Sequence, residues 1–212
     1  MKLSMMMIGV VGVVALAACK TKDEPATKQP EPQAVSQTTA NAAVAKLDPK
    51  ASIERGKYVV STAGCHDCHT PLKMGANGPE PDMSRMLSGH PASLEMPPVP
   101  DLPPGPWGVV ASLTNTAWAG PWGTSFTANL TPDKETGLGN WTKQNFIDTI
   151  RNARHMGAGR PILPPMPAPA YANLTDEDLG AVFDYLQTIP TISNKVPAPR
   201  PPKAAAAPPK GK

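Results

Sequence analysis

Residues 65–69 read Cys-His-Asp-Cys-His, and this pentapeptide restricts what the chain can fold into more than any other feature. Two thiols three residues apart, followed directly by an imidazole, form the c-type haem attachment pattern. The chemistry explains the spacing. The two sulfurs add to the two vinyl groups of the macrocycle as thioethers, and the adjacent imidazole lies under the iron as proximal ligand. Part of the core is then a single covalent haem c, held by Cys65, Cys68 and His69. Two competing chemistries fit less well. A zinc site needs a second ligand pair, yet residues 49–194 contain no other cysteine and no His-x3–5-His pair. A thioredoxin-like thiol pair expects a βαβ context, which the pattern of residues does not provide.

Composition excludes other classes. The chain has 28 prolines in 212 residues, with 5% aromatic and 17% charged residues. That is well over twice the usual proline content of about 5% and too little charge for a coiled coil. Three cysteines are too few, and odd in number, for a disulfide framework. The formal charge of +3 is unevenly spread: residues 195–212 carry five basic groups and no acidic one, whereas residues 49–194 carry ten basic and thirteen acidic. A nucleic-acid surface needs basic residues clustered on a folded element with stacking aromatics, and none is expected here.

The chain begins with one lysine, Lys2, then an apolar run from Met5 to about Ala15 that is too short to span a bilayer comfortably. This is the layout of a secretory signal peptide. The segment Leu16-Ala17-Ala18-Cys19 resembles a bacterial lipoprotein lipobox, which implies cleavage before Cys19 and lipidation of that residue. Acyl chains would hold the mature protein on a membrane without spanning it. With Cys19 on lipid and the other two cysteines on haem, no thiol is left over in an oxidising compartment. The expected organisation is a signal peptide at 1–18, a flexible tether at 19–48, a domain at 49–194 and a Pro/Ala/Lys-rich extended tail at 195–212.

Within the domain, periodicity predicts three helices. The first runs from Pro49 to Ala63, with Ile53, Gly56, Val59, Val60 and Ala63 at helical spacing. The second starts after Trp141 with Thr142 as cap and Phe146, Ile147 and Ile150 as its apolar stripe, and stops before Gly157 and Gly159. The third covers Asp176 to Thr188, capped by Thr175 with Asp178 and ended by Pro190. Strand signals are absent apart from Val109 to Leu113, so an all-α fold of three or more helices around the haem is expected. Residues 74–128 form a Pro/Gly-rich insert. It carries Trp107, Trp118 and Trp122, expected to pin the loop over the haem edge or else to line a docking surface.

The iron needs a second axial ligand or keeps an open position. The candidates are Met74, Met83, Met86, Met96, Met156, Met166, His90 and His155. Met166 stands out because Pro164, Pro165 and Pro167 flank it, forcing an extended loop that can present one side chain rigidly. Met156 is next, then His90 or an open site.

The CHDCH motif, the segment NLTPDKETGLGNWTKQNFIDTIRNARHMG, the following GRPILPPMP and LTDEDLGAVFDYLQTIP together resemble class I c-type cytochromes. They are similar to the haem modules of cytochrome subunits of membrane-bound alcohol and gluconate dehydrogenases. The resemblance implies haem on Cys65 and Cys68, His69 proximal and Met166 distal, and first and last helices that cross near Gly56 and Tyr185. It also implies that the His69 ring donates to a proline carbonyl of a Gly-Pro pair, best matched by Gly78-Pro79, with Pro71 the alternative. The expected function is one-electron transfer by a monohaem lipoprotein on the periplasmic side of a bacterial membrane. Its partners would be redox proteins, with no small-molecule substrate and no catalytic residues. Lys20 after Cys19 favours the outer membrane. The alternatives are a fixed haem subunit of a dehydrogenase or oxidase complex, and a haem gas sensor or peroxidase.

Overall fold

Asp48 starts the first helix: its carboxylate accepts from the backbone N–H of Lys50 and Ala51 at 3.0 and 3.1 Å, and Pro49 opens the first turn. This is the beginning of what the computed structural model describes, residues 48–100 and 106–202. The expected signal peptide, Cys19 and the expected tether up to residue 47, together with the tail beyond residue 202, lie outside the described residues.

Helix α1 spans Pro49–Thr62 and is followed by the short helix α2, Cys65–His69, after a left-handed turn at Gly64 (φ 70°). Helix α3 covers Lys143–Asn152, α4 Ala168–Tyr171 and α5 Asp176–Leu186. Thr142 and Asn145 form a reciprocal capping box at the start of α3, each side chain accepting from the other's backbone N–H at 3.1 Å. Helix α5 starts with the Thr175 hydroxyl accepting from Asp178 N–H at 3.0 Å, while the Asp178 carboxylate turns to Arg55 of α1 at 2.7 Å. Val59, Val60, Phe146, Ile150, Leu179, Val182 and Leu186 are buried where α1, α3 and α5 meet.

The all-α expectation is corrected by residues 72–126, which form two small antiparallel sheets. Strands β1 (Leu72–Gly75) and β2 (Gly78–Pro81) make a hairpin with Leu72 opposite Pro81 and Gly75 opposite Gly78. Strands β3 (Val110–Ala111), β4 (Ala117–Gly120) and β5 (Gly123–Phe126) make the second sheet, with Ala117 opposite Phe126 and Gly120 opposite Gly123. The fold is therefore mixed α and β. The physical reason is that proline and glycine bar helix formation here, yet the backbone donors still need acceptors. Short hairpins of small residues supply them, and Gly123 (φ 96°) adopts the left-handed turn that β4–β5 requires.

The insert is tied to the haem motif rather than hanging from it. Leu72 N–H donates to Thr114 O at 2.9 Å, Asn115 Nδ2 to Asp67 O at 2.6 Å, Leu87 N–H to Thr70 Oγ1 at 3.0 Å and Gly89 N–H to His69 O at 2.8 Å. After α5 the chain runs back over the insert, where Arg200 pairs with Thr124 beside β5.

Candidate functional site

Helix α1 ends at Ala63, which Tyr171 reaches from the end of α4: its hydroxyl donates to the Ala63 carbonyl at 2.5 Å. That bond joins the turn before Cys65 to the segment after Met166. Between them lies a cavity of about 760 Å³ whose wall includes Cys65, Cys68, His69 and Met166. Val59, Val60, Phe146, Ile150, Leu179, Val182 and Leu186 supply an apolar lining.

Burial pushes the Cys65 thiol up to about 11 and raises Cys68 as well, so both sulfurs stay protonated thiols in this setting. Burial also lowers the His69 pKa, which keeps the imidazole neutral. His69 Nδ1 lies 2.8 Å from the Ala128 carbonyl oxygen. A carbonyl only accepts, so Nδ1 carries the proton and donates, and Nε2 keeps its lone pair for a metal. The bond fixes both the tautomer and the ring plane.

The expected partner of His69, the Gly78-Pro79 carbonyl or that of Pro71, is corrected to Ala128. Gly78 and Pro79 are taken up in the β1–β2 hairpin, and the Pro71 carbonyl accepts from Asp82 N–H at 2.8 Å. Ala128 sits just past β5, so the far end of the insert doubles back to meet the motif.

The axial-ligand candidates separate clearly. Met74 and Met83 are 75% and 58% exposed and stand away from the cavity. Met86 and Met96 are not on its wall. His90 is fully buried elsewhere, with Nδ1 2.9 Å from Thr116 Oγ1 and Nε2 3.1 Å from Leu94 O, so neither nitrogen is free for iron. Met166, Met156 and His155 do line the cavity. Of these, Met166 is partly buried against the hydrophobic core, Met156 is 46% exposed, and the His155 ring packs edge-on to Trp141 at 5.1 Å.

Of the insert tryptophans, Trp107 is 79% exposed, and Trp118 and Trp122 are half-buried with indole N–H groups that have no partner among the described residues. None of the three lines the cavity; Trp141 does. Sequence reasoning missed Tyr171, the Ala128 carbonyl, Thr127 and residues 195–199, all contributors to this site. Only Tyr171 carried a signal, as a lone aromatic just after the proline loop.

The donor set fits a haem. Two thiols, a neutral imidazole with its tautomer set, and a thioether meet on one apolar cavity, whose volume is in the roughly 300–1,000 Å³ range of pockets that enclose a cofactor-sized ligand. Thr127 adds a hydroxyl on the same wall, buried and without a hydrogen-bond partner among the described residues, left over for a polar group of a bound molecule. Among the described residues no cluster of three or more His, Cys, Asp or Glu side chains is arranged to hold a bare metal ion.

The family model for cytochrome c matches residues 53–190, the stretch that builds this cavity. The chain is 29% identical over 137 residues to the fructose dehydrogenase cytochrome subunit of Gluconobacter japonicus, covering 65% of this chain and 21% of that one. It is 29% identical over 138 residues to the alcohol dehydrogenase (quinone) cytochrome c subunit of Gluconobacter oxydans, covering 64% and 21%. It is 27% identical over 135 residues to the gluconate 2-dehydrogenase cytochrome c subunit of Pantoea cypripedii, covering 64% and 22%. The chain thus spans about a fifth of the length of these relatives. With the family match lying over the haem motif, the proline loop and the helices that enclose the cavity, the chain belongs to the cytochrome c family.

Proposed function

We propose that this protein is a single-haem electron carrier, lipid-anchored through Cys19 on the periplasmic side of a bacterial membrane, that exchanges electrons with redox protein partners. Membership of the family implies covalently bound haem c and a role in electron transfer. The bound group supplies one-electron chemistry, its iron alternating between Fe(II) and Fe(III). Cys65 and Cys68 would anchor it, His69 Nε2 would ligate the iron, and Met166 would supply the second axial ligand. The observation that carries this reading is the His69–Ala128 bond of 2.8 Å, which leaves Nε2 unprotonated in the cavity that Met166 also lines. A thioether is a soft ligand that raises the potential relative to harder ligand sets.

Acid–acetone extraction should leave the colour on the protein, and its mass should correspond to one haem. Met166→Ala should abolish the Met-to-ferric-iron charge-transfer band and lower the potential. Extractable haem, two haems, or loss of the band in Met156→Ala but not in Met166→Ala would overturn the assignment.

The anchor rests on the sequence around Cys19, and among the described residues no helix is long and apolar enough to cross a membrane. Cys19→Ser should release haem-bearing protein into the soluble periplasmic fraction; retention after a high-salt wash would exclude lipid as the anchor. Lys20 favours the outer membrane. The second reading, a haem subunit fixed in a dehydrogenase complex, is supported by relatives that are themselves cytochrome subunits of dehydrogenases. Stoichiometric co-purification with a large catalytic subunit would favour it.

A further inference from the structure

Residues 195–199 all line the cavity, and the chain is clamped on both sides of them. The first clamp is Asn194, 3% exposed. Its Nδ2 donates to Ser88 O and His90 O at 2.7 and 2.9 Å, its Oδ1 accepts from Ala92 N–H at 2.8 Å, and its own N–H donates to Thr136 Oγ1 at 2.9 Å. The second clamp is Arg200. Its backbone N–H and carbonyl pair with Thr124 at 2.9 Å each, its guanidinium lies 5.6 Å from the Phe126 ring centroid, and Nη1 donates to Met96 O at 3.0 Å. Gly123 makes room for it: a Cβ there would overlap the Arg200 carbonyl and lie 2.7 Å from Pro201 C.

The span between the clamps reads Lys195-Val196-Pro197-Ala198-Pro199. Its chemistry suits a cover over an apolar group. Pro197 and Pro199 have no N–H to leave unsatisfied, and the Val196 N–H is already given to Asn194 O at 3.0 Å. Apart from Lys195 at one end, the side chains are apolar.

We propose that residues 195–199 are a strap that screens the haem from water, and that Arg200 is the positioning residue that holds the strap closed and thereby raises the reduction potential. The inference rests on the haem reading given above. Excluding water from a haem site disfavours the more highly charged ferric state, so solvent exposure is one of the levers that set the potential. Arg200 touches no reacting atom. It acts through the strap, by joining the strap's end to β5 and to the segment around Met96.

The test uses the full-length haem protein and three changes: Arg200→Ala, Arg200→Lys, and a stop codon after Asn194. Covalent haem and the Met-to-iron band are read first, and the midpoint potential and the rate of reduction by ascorbate second. Arg200→Ala should keep haem and band while the potential falls, and reduction should become several-fold faster because the gain in ascorbate access outweighs the smaller driving force. The truncated chain should show a larger change in the same direction. Arg200→Lys, which keeps a cation over Phe126, should recover most of the wild-type potential. If Arg200→Ala or the haem-bearing truncated chain has the wild-type potential and ascorbate rate, the strap is only structural and the proposal is wrong. Should the truncated chain fail to take up haem, Arg200→Ala alone decides. Wild-type protein without covalent haem would instead overturn the haem reading, through a separate readout.

Discussion

Gly56 of α1 rests directly on the carbonyl of Ala181 in α5. A Cβ on Gly56 would overlap that oxygen and stand 2.8 Å from Tyr185 Cβ. The obstacle is the backbone of a buried helix, which cannot step aside as a flexible side chain could. Gly56→Ala removes a poor helix former, a gain of about 1 kcal/mol in a free helix. Here the clash should outweigh that gain and destabilise the protein by about 1–3 kcal/mol net. Urea denaturation checks this, and a variant at least as stable as wild type would contradict the close crossing.

Arg151, in the last turn of α3, holds the segment that links the methionine loop to α5. Its guanidinium donates to Ala172 O, to Leu174 O at 2.7 Å and to Asp176 Oδ1 at 2.6 Å. Three acceptors around one guanidinium suit the fork of arginine and not the single point of an ammonium. Arg151→Lys should therefore cost about 1.5–3 kcal/mol, the scale of a charged hydrogen-bond set left partly unmade. Asp176→Asn should cost less than about 1 kcal/mol, because the Asp176 side chain is 72% exposed and its ion pair is screened. Equal stability of Arg151→Lys and wild type in the same titration would refute the ranking.

His90 should make stability depend on pH. Burial lowers its pKa, and Arg200 and Arg85 oppose a charge there as well. Nε2 must donate to the Leu94 carbonyl, so Nδ1 of the neutral ring accepts from the Thr116 hydroxyl; a proton added at Nδ1 turns that hydroxyl into an acceptor and leaves a charge on a buried ring. The folded pKa lies below the unfolded value of about 6.5, so the unfolded chain binds more protons between the two. The contribution is complete above the unfolded pKa and is lost as pH falls from there through the folded pKa. On going from about pH 7.5 to about pH 5.5, Tm should fall more for wild type than for His90→Gln. Parallel Tm profiles would show that His90 does not carry the effect.

Asn194 should not tolerate its isostere. Both hydrogens of its amide point at carbonyl oxygens, those of Ser88 and His90. Asn194→Asp sets a carboxylate oxygen against them in a buried place and should cost about 2–4 kcal/mol at neutral pH. The new carboxyl would have a raised folded pKa, so the loss should shrink as pH falls towards the unfolded value of about 3.9. Chemical denaturation of the variant at neutral and acid pH measures both signs. A variant equal to wild type at neutral pH would mean that the amide orientation is otherwise.

What could be read in the residues was what repeats or what bears chemistry. The apolar spacing of Phe146, Ile147 and Ile150, with Thr142 before it, located α3, and Thr175 located the start of α5. The far end of α3 was read too long, because Ala153 turns left-handed (φ 50°) without the glycine that would announce it. The Val109 to Leu113 signal contains β3, whereas the other strands escaped notice for a different reason. They are four residues long, rich in Gly, Ala, Pro, Ser and Thr, and β5 (Gly-Thr-Ser-Phe) is buried at every position, so it shows no alternation of polar and apolar residues to detect. The motif identified His69, but its partner is a backbone carbonyl 59 residues away, and a carbonyl has no side-chain signature. Met166 stood out through its prolines, with Met156 ranked next, and Met156 is the more exposed of the two at 46%.

The order in which the chain is made bears on the double clamp around residues 195–199. Several of its bonds join partners more than a hundred positions apart, among them Met96 with Arg200 and Ala92 with Asn194. A chain synthesised from its N-terminus has delivered CHDCH, the insert and all five described helices before residue 195 exists. One side of the cavity therefore remains without its wall until residues 195–199 have been made. Contacts this remote close slowly compared with helix packing, and a truncated product would keep its helices but have a permanently open site.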